Sequence, residues 1–204
     1  MKTLLPRLIS ALFVFTMMAG PAAADLRDDG KAIVQKMADE VVSVLANKSL
    51  DRAAKEARFR QVLGQNFDMG TIGAWVMGHA WKQATAQQRA DYLRLFENYI
   101  VKVYTGQLTN YSGEKVTVTG AEEDGDGVAV LTSVSDPKND RTIPLKWRLR
   151  KAGNQLKVRD VLVENISMSQ TQRREFASVF QQRGGTVEGL IAALREKIAE
   201  LDKQ

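Results

Sequence analysis

FDMGTIGAWVMGHAW, residues 67–81, is the stretch that decides the fold of this chain. It is almost entirely apolar and leads into a segment whose large apolar residues recur every three or four positions. That spacing predicts one long amphipathic helix with a continuous apolar stripe. The stripe comprises Tyr92, Leu95, Phe96, Tyr99, Ile100, Val103, Tyr104 and Leu108. Together with the predicted strand NYSGEKVTV at 110–118, these segments carry more large apolar surface than one helix pair needs. They contain no residues suited to catalysis.

The pattern predicts helices first, then four strands, then two more helices. A helix is expected from Asp28 to Ala46, and a second one is expected to follow Ser49 as its N-cap. Thr85 with Gln88 three residues later forms a capping box that opens the long helix. Strands are predicted at 115–119, 128–135, 142–150 and 155–163, and closing helices at 170–182 and 187–201, separated by two glycines at 184–185.

Short, turn-rich connections between the strands, such as Gly153-Asn154, predict an antiparallel meander. The third strand alternates apolar and basic residues, so one sheet face is buried and the other is wet. In the fourth strand the apolar set changes parity after Val158, which a one-residue bulge near Arg159-Asp160 explains. We therefore expect an α+β fold in which a curved four-stranded antiparallel sheet packs against helices and encloses an apolar cavity.

The first 24 residues have the three parts of a secretory signal peptide. Lys2 and Arg7 give a positive start, residues 8–19 form an uncharged apolar core, and the alanines at 22–24 form a small-residue cleavage site. The core is shorter than the about 20 apolar residues that a membrane span needs. We expect residues 1–24 to be removed and residues 25–204 to form a single domain that begins at Asp25; an uncleaved anchor is the alternative.

Charge and cysteine content restrict the class of protein further. Without the signal peptide the chain has 27 basic and 24 acidic residues, a net charge of +3. This mild excess permits weak attraction to anionic lipid surfaces but is unlike the clustered charge of nucleic-acid binders. The chain has no cysteine, so an exported protein of this size depends on core burial for stability.

Few residues of this chain are suited to catalysis or to metal binding. His79 is the only histidine, and its surroundings, MGHAWK, resemble neither a nucleophile elbow nor a metal-binding helix. The carboxylates at 122–126 are expected to occupy a solvated turn, because no calcium-ligand ladder ending in a bidentate glutamate follows them. We expect no enzymatic activity, no metal and no cofactor, and we assign His79 a structural or surface role.

Several motifs spread along the chain carry a resemblance to a known family. They are F-D-x(7)-V-M-G-x-x-W-x-x-A-T from residue 67, L-F-x-x-Y at 95–99, Y-S-G-E-K-V at 111–116, V-x-V-E-x-I-S-M at 161–168 and Q-R-x-E-F-A-S-V at 172–179. This pattern resembles the MlaC, or toluene-tolerance, family of periplasmic lipid-binding proteins. The resemblance implies a fold related to the NTF2-like cone. The chain departs from it at Gln172, where many relatives have an aromatic residue.

The aromatic and methionine residues, taken together, fit the lining of a cavity for flexible acyl chains, because this lining is large, apolar and adaptable. Taken singly, each of them fits a filled core better. The residues expected to bind lipid are Phe67, Met69, Ile72, Trp75, Val76, Trp81, Phe96, Tyr99, Val103, Tyr104, Leu108, Val130, Leu145, Trp147, Val161, Val163, Ile166 and Met168.

A set of basic residues follows the wet face of the third and fourth strands. Arg141, Lys146, Arg148 and Lys157 are the candidates for docking an acidic partner or anionic headgroups. The alternative is a solvated sheet face that discourages edge pairing. Nucleic acid is disfavoured, since no aromatic residues interleave with these cations.

The residues and the resemblance together lead to one functional expectation, a monomeric periplasmic carrier with phospholipid as its cargo. The resemblance implies that such carriers shuttle phospholipid between an outer-membrane lipoprotein complex and an inner-membrane ABC transporter complex with an MCE subunit, which maintains lipid asymmetry. One alternative is a carrier for hopanoid or another polycyclic lipid, from a related branch of the family. A second alternative is an interaction module with a filled core, which would hold no lipid. A secreted lipid hydrolase is disfavoured by the missing nucleophile constellation.

Overall fold

The structure, a computed structural model, describes residues 22–108, 113–136 and 141–203. Its helices are α1 (Ala22–Ala46), α2 (Arg52–Asn66), α3 (Met69–Met77), α4 (His79–Gln83), α5 (Ala86–Leu108), α6 (Met168–Gln182) and α7 (Val187–Leu201). Its strands are β1 (Lys115–Asp124), β2 (Gly127–Asp136), β3 (Arg141–Ala152), β4 (Gln155–Val163) and β5 (Ile166–Ser167). The predicted α+β class is confirmed.

The sheet is an antiparallel meander in the order β1-β2-β3-β4-β5. The four predicted strands are therefore present, and a two-residue fifth strand follows a tight turn in which Glu164 and Asn165 have φ of 50° and 67°. Positive φ at both turn residues suits a two-residue hairpin. The expected four-stranded sheet is thus extended by β5, which pairs with β4 at only two positions.

Two bulges interrupt the regular pairing. On β4, Arg148 pairs with Asp160 and Leu149 pairs with Val158, so Arg159 is the extra residue. The parity change in the sequence predicted a bulge at this place, and the prediction is confirmed. A second bulge lies on β1 between Val118 and Gly120 and was not predicted. Bulges bend strands and increase their twist, so both curve the sheet.

Helix starts follow the expected chemistry, with one exception. The Thr85 N–H donates to the Gln88 side chain at 2.7 Å, and the Gln88 N–H donates to the Thr85 hydroxyl at 3.2 Å, so the predicted capping box is present. Ser49, in contrast, is not the N-cap of α2. Asp51 caps that helix by accepting from the Ala54 N–H at 2.7 Å, whereas the Ser49 hydroxyl donates to Asn47.

The apolar segment at 67–81 is split into two short helices. Asp68 caps α3 by accepting from the Thr71 N–H at 3.2 Å, and Gly78 ends it with φ of 62°. Glycine tolerates this left-handed conformation without a Cβ clash, so α4 leaves in a new direction. The carboxylates at 122–124 also differ from expectation, because β1 continues to Asp124 and only Gly125 and Asp126 form the turn.

Two apolar clusters stabilise the molecule. One joins the helices and includes the stacked rings of Tyr92 and Phe96, 5.7 Å apart, with Phe176 against both. The other joins α1 and α2 to the sheet and includes Val34, Met37, Val62, Val128, Val130, Leu149, Leu156 and Val158. The space between the two clusters holds the candidate site.

Candidate functional site

A cavity of about 550 Å³ lies between the sheet and the helices. Residues of both clusters form its walls. Met37 and Val62 come from the cluster on the sheet, and Val76 and Phe96 come from the helical cluster. Its volume falls within the range of about 300–1,000 Å³ that is typical of ligand pockets. The fold thus leaves an apolar cavity between its layers, as the sequence predicted.

Many of the residues expected at a lipid site lie together in this wall. Trp147 is held in place because its indole N–H donates to the Thr132 hydroxyl at 2.9 Å, which leaves the ring face available to the cavity. The lining residues that the sequence singled out are Phe67, Met69, Ile72, Val76, Phe96, Tyr104, Leu145, Trp147, Val161, Val163 and Met168.

Other candidates lie elsewhere. Val130 is fully buried in the cluster on the sheet, and Trp81 packs edge-on against Tyr92 of the helical cluster. Tyr99 packs edge-on against Phe176, with ring centroids 5.8 Å apart. Val103 is half-buried on α5 outside the lining, and the side chain of Leu108 falls outside the described residues.

Trp75 and Ile166 are large apolar residues that point to solvent. Trp75 is 51% exposed and Ile166 is 56% exposed, so neither lines the cavity. The Arg173 guanidinium lies 4.0 Å from the centre of the Trp75 ring and donates to the Trp75 carbonyl at 3.0 Å. This cation-π contact covers one face of the indole and accounts for an exposed tryptophan beside a helix end.

Sequence reasoning missed the helical wall that α1 and α2 provide. The apolar periodicity of α1 was visible, but it did not indicate which element that face would cover. The missed apolar lining residues are Met37, Ala38, Val41, Val42, Leu45, Phe59, Val62, Leu63, Ile100, Val116 and Val134.

Four polar residues of the lining lie together where β4 meets the start of α6; we call Arg159, Asp160, Ser169 and Gln172 the polar cluster. The bulge turns Arg159 towards Asp68, with Nε 3.1 Å from Oδ2. Asp160 accepts from the Ser169 N–H at 3.1 Å, and Gln172 lies one turn further along α6. The cavity therefore has a polar corner in a mainly apolar wall, and Glu114, which precedes β1, is a further polar residue of the lining.

The charge state of the wall follows from burial and from these contacts. Burial raises the pKa of Asp68, but hydrogen bonds from Thr71 and Arg159 outweigh this effect and hold the pKa below its ordinary value. Burial, with a smaller contribution from the charge of Glu175, raises the pKa of the Tyr104 phenol. Tyr104 is therefore neutral at neutral pH, which keeps its part of the wall suited to apolar groups.

The predicted basic face carries matched carboxylates. Arg141 pairs with Glu164 at 2.7 Å, and Lys146 pairs with Glu122 at 2.8 Å. Lys146 of β3 reaches across β2 to Glu122 of β1, and Arg141 of β3 reaches the turn between β4 and β5, so both pairs follow from the sheet topology. Exposed pairs of this kind contribute about 0–1 kcal/mol to stability.

The other two cations of that face are also occupied. Arg148 makes a two-point contact with Asp124, at 2.7 Å and 2.9 Å, and Arg150 donates to the same carboxylate at 2.8 Å. Lys157 donates to two carbonyls in the last turn of α2, at 3.1 Å and 2.9 Å. The four candidate docking residues therefore do not form an unbalanced positive patch.

A second depression, of about 870 Å³, lies between α1 and α2. Charged and amide side chains dominate its wall, among them Lys36, Asp39, Glu40 and Arg58. This polar composition makes it unsuited to acyl chains, so we take the apolar cavity as the candidate site although it is smaller.

Within the described part of the chain, no group of three histidine, cysteine or acidic side chains is placed to hold a metal ion. No helix in those residues is long and apolar enough to cross a membrane. His79 is the exposed first residue of α4 and does not line the cavity.

An antiparallel meander bent by bulges, backed by helices and enclosing an apolar cavity, defines the class of α+β proteins with a ligand cavity between sheet and helices. The chain belongs to the MlaC family, because the family described as MlaC protein matches residues 35–196.

Comparison with individual proteins agrees with the family. The chain is 22% identical over 198 residues to the intermembrane phospholipid transport system binding protein MlaC of Haemophilus influenzae, covering 92% of this chain and 91% of the relative. It is 25% identical over 174 residues to the toluene tolerance protein ttg2D of Pseudomonas putida, covering 82% and 80%. A phospholipid-binding protein from Ralstonia solanacearum, solved with a phospholipid, is similar with a TM-score of 0.72 and 27% identity, covering 85% of this chain and 99% of that one.

Proposed function

We propose that this protein is a periplasmic carrier that holds the acyl chains of a phospholipid in its apolar cavity. The observation that carries the proposal is the cavity of about 550 Å³ between sheet and helices, walled mainly by aliphatic, aromatic and methionine side chains. The similar Ralstonia solanacearum protein with its bound phospholipid supports this choice of ligand.

The physical reason for a carrier is the cost of exposing acyl chains to water. Burial is worth about 0.8 kcal/mol per methylene, so two chains with roughly 30 methylenes would lose about 24 kcal/mol in water. A dry cavity removes that cost during transfer. The wall requires no reactive group for this task, and we propose that the protein has no catalytic activity.

The direct test is to purify the protein from its periplasm without detergent and to identify extracted lipid by mass spectrometry. We expect phospholipid in an amount close to stoichiometric. Polycyclic lipid in its place would assign the protein to the alternative cargo, and protein free of lipid would refute the carrier function.

Export is a separate part of the proposal. Residues 22–24, the expected cleavage site, lie at the start of α1, so the processed protein would begin with Asp25 in the first turn of that helix. The intact mass of protein from the periplasmic fraction should correspond to residues 25–204. A mass that retains Met1 would contradict cleavage.

We further propose that the carrier exchanges phospholipid between an outer-membrane lipoprotein complex and an inner-membrane ABC transporter with an MCE subunit, and that the basic face assists docking. Arg141 has a side chain that is 58% exposed, so it remains accessible beside Glu164. The double variant Arg141→Glu and Lys146→Glu should slow transfer to partner complexes at low salt and leave lipid content unchanged, because exposed charges act mainly on the encounter rate. Transfer by the double variant that matches wild type at both low and high salt would assign this face to solvent.

A further inference from the structure

Gln172 stands out among the cavity residues because part of its polar group has no partner. Its side-chain Oε1 is buried and accepts no hydrogen bond from the residues that the structure describes. Buried amide oxygens in proteins are almost always hydrogen-bonded, so an exception at a ligand cavity calls for an explanation. Burial raises the pKa of the Tyr99 phenol and a contact with the Gln172 side chain partly offsets this rise in pKa, but Oε1 accepts no bond from Tyr99. Because the residue lines the cavity, the cavity's occupant can supply the missing donor.

The position of Gln172 on α6 explains why its amide oxygen is shielded from water. Met168, Ser169 and Gln172 lie on one side of the helix and all line the cavity. One turn further on, Phe176 belongs to the aromatic cluster, and its ring centroid lies 5.8 Å from that of Phe96. Gln172 is therefore placed where the buried side of α6 passes from the cavity into the packed core, and water has little access to its oxygen.

The surroundings of Gln172 favour a donor over an acceptor. Asp160, in the same polar cluster, is a carboxylate that accepts from the hydroxyl of Ser167 and from the Ser169 N–H. The nearby cation, Arg159, is directed to Asp68. The Asp160 carboxylate and Gln172 Oε1 are therefore oxygen acceptors at this corner, and such acceptors attract N–H and O–H groups.

We propose that Gln172 Oε1 accepts a hydrogen bond from an N–H or O–H group of the bound lipid, so that the cavity selects lipids whose polar part carries such a donor. This inference rests on the proposed carrier function. An ammonium headgroup and a hydroxylated headgroup share the required chemistry. A choline headgroup lacks it, because its nitrogen carries four carbon substituents.

The test compares lipids with identical acyl chains and different headgroups. Delipidated protein would be offered an equimolar vesicle mixture of phosphatidylethanolamine, N,N-dimethyl-phosphatidylethanolamine, phosphatidylglycerol and phosphatidylcholine, and bound lipid would be quantified by mass spectrometry. The dimethyl lipid is nearly as large as phosphatidylcholine but keeps one N–H, so it separates donor from size. The ethanolamine and glycerol lipids distinguish an ammonium donor from a hydroxyl donor.

We expect the donor lipids, including the dimethyl one, to be enriched over phosphatidylcholine about five- to hundredfold, the range that corresponds to an unsatisfied buried acceptor. Gln172→Met should remove the enrichment, so that the four lipids are bound in similar proportions. Gln181→Met, an exposed glutamine on the same helix, is the matched control and should behave like wild type.

The outcomes separate this inference from the function on which it rests. Wild-type protein that takes up all four lipids equally would overturn the role of Gln172 and leave the carrier function intact. Wild-type protein that takes up none of them would overturn the carrier function. The relative amounts of the four lipids bound by wild-type protein test the donor preference even if Gln172→Met fails to fold. An enrichment of donor lipids that persists in folded Gln172→Met protein would also refute the assignment.

Discussion

Two tryptophan substitutions on the sheet distinguish a true cavity from a filled core. Val163 lines the cavity on β4, opposite Leu145 of the neighbouring strand. Val130 lies on β2, fully buried, and α1 passes so close that a Cβ on Gly30 would lie 3.1 Å from its Cγ2. Val163→Trp therefore places an indole in open space, whereas Val130→Trp forces one into a packed interface.

The structure sets the expected magnitudes. At Val130 the insertion should cost about 1–3 kcal/mol or more, which lowers the melting temperature of a domain of this size by about 2–12 °C. At Val163 the melting temperature should stay the same or rise. If the indole displaces about four methylenes of an acyl chain, the loss of about 3 kcal/mol weakens lipid binding about two-hundredfold.

The assay combines thermal melting by circular dichroism with mass spectrometry of co-purified lipid. We expect Val163→Trp protein to be folded and depleted of lipid. The reasoning would be refuted if Val163→Trp lowered the melting temperature as much as Val130→Trp does, because the space would then already be filled by protein. Full retention of lipid in folded Val163→Trp protein would place the lipid elsewhere.

Three further predictions concern stability and chemistry. Asp124→Asn should destabilise the sheet by about 1–2 kcal/mol at neutral pH, because Arg148 and Arg150 lose their shared carboxylate. Hydrogen bonds, chiefly from Arg148, hold the pKa of Asp124 well below its ordinary value. The extra stability of wild type over Asp124→Asn, measured by urea unfolding, should therefore be complete above about pH 5 and shrink as the pH falls towards that lowered pKa. A stability difference that stays constant down to about pH 2 would contradict this. Thr85→Ala should cost about 1 kcal/mol in the same assay, since it removes half of the capping box, and an unchanged unfolding midpoint would refute that role. His79→Ala should leave lipid transfer within about a few-fold of wild type, and a loss of several hundredfold in folded protein would indicate chemistry.

Much of the local structure was determined by the sequence itself. The capping box at Thr85, the meander and the bulge at Arg159 all depend on residues close together along the chain or on the two-residue period of a strand. These features could be predicted because period and turn chemistry act over a few residues. The second helix start was missed because Ser49 and Asp51 compete for the same role, and the carboxylate has the better-placed oxygen.

Only the tertiary structure decided which apolar residues face a cavity and which are simply buried. Val130 and Val163 have the same side chain and both lie on central strands, yet α1 packs onto the first and open space faces the second. Likewise the basic face has matched carboxylates, such as Asp124 beside Arg148, because of strand register. A periodic pattern states which side of an element is apolar. It cannot state what covers that side, because the covering element comes from distant parts of the chain.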